Sequence, residues 1–129
     1  TTWSPLAMGL LTGKYREGVP ADSRGAVKGM GFLVKTLTDP DKNAVVANLQ
    51  AVASDLDCSL AQLAVTWTLK NPRVSSVIMG ASRVAQLQEN LRALDVVARP
   101  TPEVMARIDA ICTAGNKEIT WNTSTSATK

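Results

Sequence analysis

Apolar positions along this chain fall into two short β-prone runs and several helical stripes, and the two patterns alternate. Thr1 to Ser4 is short, β-prone and stopped by Pro5, so it reads as the end of a strand. From Gly9 to about Pro40 no period is sustained, and six glycines interrupt the chain. A connection well beyond the usual ~4–6 residues is uncommon unless it is functional or disordered. Phe32, Leu33, Val34 and Leu37 offer it one short helical foothold. Residues 41–56 then read as a helix, with Val45, Leu49, Val52 and Leu56 on one stripe and Asp39 or Asp41 as its cap. Pro40 suits its first turn. Ser59-Leu60-Ala61-Gln62 is a capping box that opens a second helix, with Leu60, Leu63, Ala64 and Trp67 as its apolar face. Asn71-Pro72 stops it.

Val74 to Met79 is short, β-rich and mostly apolar, which predicts a buried strand ended by Gly80. Ser82 is placed to cap a third helix with Val84, Leu87, Leu91 and Leu94 buried. Thr101-Pro102-Glu103 starts a fourth, with Val104, Ile108 and Ile111 inward and Gly115 as its stop. Residues 116–129 are polar and rich in Ser and Thr, which reads as a loose tail beyond a folded 1–115. Strands alternating with helices predict an α/β fold with a parallel sheet. Two strands make only a marginal sheet by themselves. The pattern therefore calls for further strands, and the absence of an initial Met fits a piece of a longer protein.

Composition narrows the classes. Hydrophobic residues make up 45% and charged residues 19%, which is ordinary for a globular domain. No apolar run nears the roughly 18 residues of a membrane span, so direct membrane insertion is not expected. A net charge of +3 is too mild to argue for nucleic acid. The excess is local, however: Lys14, Arg16, Arg24, Lys28 and Lys35 face only Glu17 and Asp22 in the first 35 residues. A basic loop suits an anionic small ligand, although from charge alone a solvated loop is the better reading. With no histidine, Ser-His-Asp, Cys-His and most zinc arrangements are excluded from this chain. Cys58 and Cys112 have no metal spacing and read as reduced structural thiols of a cytoplasmic protein. Asn122-Thr123-Ser124 matches a glycosylation acceptor by chance in that setting.

The chemistry gathers at two turns. After the second strand, Gly80 permits close backbone approach, and Ser82 brings a hydroxyl to a helix start, where free amides favour an anion. Arg83 adds charge, Gln86 lies one turn on, and Glu89 and Asn90 can present polar groups to a base. An ordinary capped helix with a polar face is the competing reading. After the first strand, Pro5 restricts Ser4 to extended geometry. Leu6 can cover an apolar edge, and Lys14 and Arg24 can fold onto a phosphate. Trp3 is equally a stacking platform or a core residue.

Trp3-Ser4-Pro5-Leu6-Ala7 with Thr12-Gly13-Lys14-Tyr15, Ser23-Arg24, the Gln-Leu-Ala…Trp pattern from Ser59 to Leu69, and Gly80 to Asn90 together resemble aldo-keto reductases, especially the branch containing potassium-channel β subunits. The resemblance covers roughly residues 1–114. It implies the C-terminal portion of a (β/α)8 TIM barrel, strands 7 and 8 with their helices. It implies an NADPH-dependent reductase of a small aldehyde or ketone, with a channel-associated regulatory subunit that senses NADPH as the alternative. By match, Trp3 stacks on the nicotinamide, and Ser4, Pro5, Leu6 and Ala7 line the cofactor. Lys14 and Arg24 clamp phosphate oxygens, Gly80 closes the second turn, Ser82 and Gln86 hold the 2′-phosphate, and Glu89 and Asn90 take the adenine. Met8 and Asp22 depart from the family pattern. The family's catalytic Asp, Tyr, Lys and His come from earlier strands, so no residue here is assigned a catalytic role, Tyr15 included. Dimers or tetramers, and a membrane-channel partner in the alternative, also come from the resemblance alone.

Overall fold

The structure, a computed structural model, describes residues 1–115. Two strands, β1 (Thr2–Trp3) and β2 (Val77–Ile78), pair in parallel with Thr2 opposite Val77 and Trp3 opposite Ile78. The amide of Thr2 donates to the carbonyl of Ser76 at 3.0 Å. The parallel pairing predicted by alternation is present, but regular strand is shorter than the Val74–Met79 run. With a partner on one side only, the flanking residues have no ladder to extend.

Between the strands lie α1 (Val34–Leu37), α2 (Pro40–Asp55) and α3 (Leu60–Leu69). After β2 come α4 (Val84–Leu91), α5 (Ala93–Val96) and α6 (Pro102–Gly115). Asp39, not Asp41, caps α2: its carboxylate accepts from the amides of Asp41 at 2.9 Å and Lys42 at 3.2 Å. The capping box of α3 is complete, with the Gln62 amide donating to Ser59 Oγ at 3.2 Å and the Ser59 amide donating to Gln62 Oε1 at 3.0 Å. Thr101 Oγ1 accepts from the Val104 amide at the start of α6.

The main core joins Val46, Leu49, Val52 and Ala53 of α2 to Leu60 and Leu63 of α3 and Ile108 of α6. Each such aliphatic side chain contributes ~1.5–3 kcal/mol on burial, against about 1 kcal/mol for a cap. The cluster therefore dominates stability and the caps set helix ends. Because α2 is held between α3 and α6, its buried face is wider than the expected stripe: Val46 and Ala53 are inside while Val45 and Leu56 are half-buried. Helix α6 approaches α2 so closely at Gly115 that a Cβ there would overlap Val45.

Four expectations change. The run 74–79, expected as a buried strand, is exposed or half-buried, with Ile78 56% exposed, because among the described residues no further sheet covers it. Trp67 is 46% exposed, and Val65 and Thr66 are buried instead, because α3 also packs on α5, where Thr66 Oγ1 donates to the carbonyl of Ala93. The third helix breaks at Arg92 into α4 and α5, and Val84, Leu87, Leu91 and Leu94 are all exposed. Two strands offer that stripe no wider sheet to lie on. Ser82 does not cap α4: Arg83 occupies the N-cap position without a side-chain bond, and Ser82 engages Gln86 instead. The expected foothold in the long connection does form, with Tyr15, Leu33 and Leu37 buried together and Phe32 left outside. The tail and the Asn122 acceptor lie outside the described residues.

Candidate functional site

Both turns open onto one cleft of about 690 Å³. All the candidate residues line it except Trp3 and Ala7. Trp3 stands 82% exposed on β1, and Ala7 sits in the turn behind it.

The first wall begins at a strained reversal. Ser4 has φ of 55°, not the extended geometry expected before proline, and Ala7 and Met8 also have positive φ. A tight turn follows at once, closed by the Ala7 amide donating to the carbonyl of Ser4 at 2.9 Å. Pro5 suits the second position of that turn. Such residues cost of order 1–3 kcal/mol each and collect at ligand sites. The reversal aims Ser4, Pro5 and Leu6 into the cleft. Gly9, at φ of 102°, lets the side chain of Lys14 cross the loop: a Cβ there would stand 3.0 Å from Lys14 Cε. The ammonium of Lys14 lies 5.3 Å from the ring centroid of Tyr15.

Tyr15 is the loop's anchor. It is 1% exposed, and its hydroxyl accepts from the amide of Gly25 at 3.4 Å. Ser23 is buried as well, donating from Oγ to the carbonyl of Pro20 at 2.6 Å. Arg24 is therefore held between two fixed neighbours while its own guanidinium stays exposed at the cleft. Neither Lys14 nor Arg24 forms an ion pair among the described residues. Glu89 is the one acidic residue of the lining, so the cleft is positive on balance.

The second wall is the turn Gly80–Ser82 and the polar face of α4 that carries Gln86, Glu89 and Asn90. The amide and Oγ of Ser82 both point at a single oxygen, Gln86 Oε1, at 3.0 and 3.1 Å. Two donors converging on one oxygen form an arrangement that an anion's oxygen can take over. Asn90 is buried between this cleft and a smaller apolar groove beside β2. Arg83 turns away and pairs with Asp22 at 2.7 Å, tying the long connection to the second turn. That guanidinium holds the Asp22 carboxyl below its ordinary 3.8.

Sequence reasoning missed Thr12, Gln50, Ser59, Leu60, Ala61 and Met79, which also line the cleft, and set aside Met8, which does so too. Gln50 and Ser59 arrive from the end of α2 and the start of α3. Ser59 announced itself only as a cap, and no spacing connects either residue to the two turns. Among the described residues, no group of three or more His, Cys, Asp or Glu could hold a metal ion. No described helix is long and apolar enough to cross a membrane.

Residues 1–113 match the model of the aldo/keto reductase family. The chain belongs to that family. Membership implies a (β/α)8 barrel for the whole fold, of which the described residues hold two parallel strands and mostly helix. The aldo/keto reductase segment is 50% identical over 112 residues to a rice (Oryza sativa subsp. japonica) protein named "Probable voltage-gated potassium channel subunit beta". It is 46% identical to an Arabidopsis thaliana protein of the same name. A Schizosaccharomyces pombe protein named for the same subunit is 39% identical over 113 residues. Each alignment covers 86% of this chain and 33–34% of the relative. The chain thus spans about a third of the length of these curated relatives.

Proposed function

We propose that this chain is the C-terminal, cofactor-clamping part of an NADPH-dependent aldo/keto reductase that reduces a small aldehyde or ketone to the alcohol. The observation that carries this reading is the convergence of the turns after β1 and β2 on one positively lined cleft. In (β/α)8 barrels a phosphate site often forms from the loops after strands 7 and 8, the places we assign to β1 and β2.

The donor set suits such a ligand. Lys14 and Arg24, with no ion pair among the described residues, meet the pyrophosphate from the anchored loop. Ser82 and Gln86 hold the 2′-phosphate, Gly80 lets it close on the backbone, and Glu89 and Asn90 face the adenine. Ser4, Pro5 and Leu6 line the middle of the cofactor. Trp3, exposed beside them, offers its face to the nicotinamide, and Ala7 backs the turn. The bound cofactor supplies the hydride for the carbonyl carbon, and the chain's own residues bind and orient it. The proton comes from a tyrosine of the remaining barrel, since Tyr15 is buried with its hydroxyl turned to Gly25.

The relatives named as potassium channel β subunits favour a second reading, a channel-associated subunit; on this reading it is cytoplasmic and binds NADPH chiefly as a sensor. The family resemblance adds a homo-oligomer to either. The test is consumption of NADPH by the purified longer protein in the presence of a simple aldehyde. Turnover by that protein, and none by the 129-residue chain, is expected. Tight NADPH binding with no turnover favours the regulatory subunit, and no binding at all refutes both readings.

A further inference from the structure

Gln62 is used twice. Its Oε1 accepts from the Ser59 amide at 3.0 Å, which completes the capping box of α3. Its Nε2 donates to the carbonyl of Glu89 at 3.0 Å, on a different helix 27 residues away. A capping box accepts Glu or Gln alike at this position, and a carboxylate would suit the positive start of the helix better. Only the amide has both an acceptor and a donor. The second bond is what requires Gln.

One turn further along the same face of α3, Thr66 Oγ1 donates to the carbonyl of Ala93 at 3.2 Å. Glu89 and Ala93 are likewise four residues apart, so two rungs join α3 to the α4–α5 segment on either side of its break at Arg92. The rungs differ in what they hold. Ala93 is buried away from the cleft, whereas Glu89 lies between Gln86 and Asn90 on its wall.

We infer that Gln62 is a positioning residue for the adenosine end of the cofactor: it sets the distance of α4 from the start of α3, and with it the placement of Gln86, Glu89 and Asn90. This rests on the reading of the cleft given above. The test uses the longer protein, with adenosine 2′,5′-bisphosphate as the probe and calorimetry as the readout. Gln62→Glu keeps the capping box and removes the donor to Glu89. It is expected to unfold at the wild-type temperature while losing about fivefold in probe affinity, the equivalent of one ordinary hydrogen bond. Thr66→Val removes the other rung and is expected to cost stability without loss of probe affinity. Should Gln62→Glu fail to fold, Gln62→Met, neutral and of similar length, carries the same expectation for the probe. Wild-type affinity in the folded Gln62 variant, or an equal loss in Thr66→Val, overturns the inference. If the unaltered protein does not bind the probe, the reading of the cleft fails first and the inference falls with it.

Discussion

At the scale of single residues, Arg83 and Asp22 show how one contact can hold a loop without adding much to the fold. Their bond is 2.7 Å long, yet both side chains are more than half exposed, so screening by salt weakens it. Arg83 lowers the Asp22 pKa first through the hydrogen bond and then through charge. A carboxyl with a depressed pKa keeps its tie above its ordinary value and loses it only as pH falls through the lower, folded one. We therefore expect amide exchange in residues 9–40, corrected for intrinsic rates, to be unchanged between about pH 7 and pH 5. It should accelerate in about 1 M salt, where the screening length falls to a few ångströms. Asp22→Asn should abolish that salt response. Loosening by acid in this window would show that another group holds the loop. Neither residue attracted attention in the sequence as a pair, because 61 positions separate them. The capping box at Ser59 and Gln62, by contrast, was legible at once, because its partners are three residues apart.

At the scale of elements, the long connection is more ordered than its glycines suggest. Tyr15, Leu33, Leu37 and Ser23 pin it at intervals, leaving Lys14 and Arg24 at the surface of the cleft. If Lys14 and Arg24 clamp the phosphates as proposed, they gain those partners only after encounter, and their loss should act on release more than on entry. Replacing both with Met in the longer protein should speed NADPH release about tenfold or more while changing the association rate less. Stopped-flow fluorescence from Trp3 reads both rates. Release at the wild-type rate would make these residues a solvated basic loop. Local pattern located α2, α3, α6 and the start of α4, because caps and apolar steps act within a few residues, but it did not show the break that separates α5. It failed where faces depend on neighbours. Val46 and Ala53 are buried because α2 has helices on two sides. Trp67 is exposed because α3 turns Thr66 toward α5.

At the scale of the whole molecule, the described residues form a helical core with a two-stranded sheet at one side. The stripe Val84, Leu87, Leu91 and Leu94 reads as buried in the sequence and is bare in the structure. A barrel wall would cover it, and this chain spans only about a third of its relatives. The cleft was legible in part for the same reason. Its two turns announce themselves through glycine, proline and charge, whereas Gln50 and Ser59 reach it only through the packing of α2 on α3. The central claim is that this cleft recognises a dinucleotide by its 2′-phosphate. The direct measurement is calorimetric titration of the longer protein with NADPH and with NADH, before and after Ser82→Ala combined with Gln86→Ala. Charge-assisted hydrogen bonds contribute roughly 1.5–3 kcal/mol each, so the double variant should lose about tenfold or more in NADPH affinity and little for NADH. Equal losses for the two cofactors, or none for either, would contradict it.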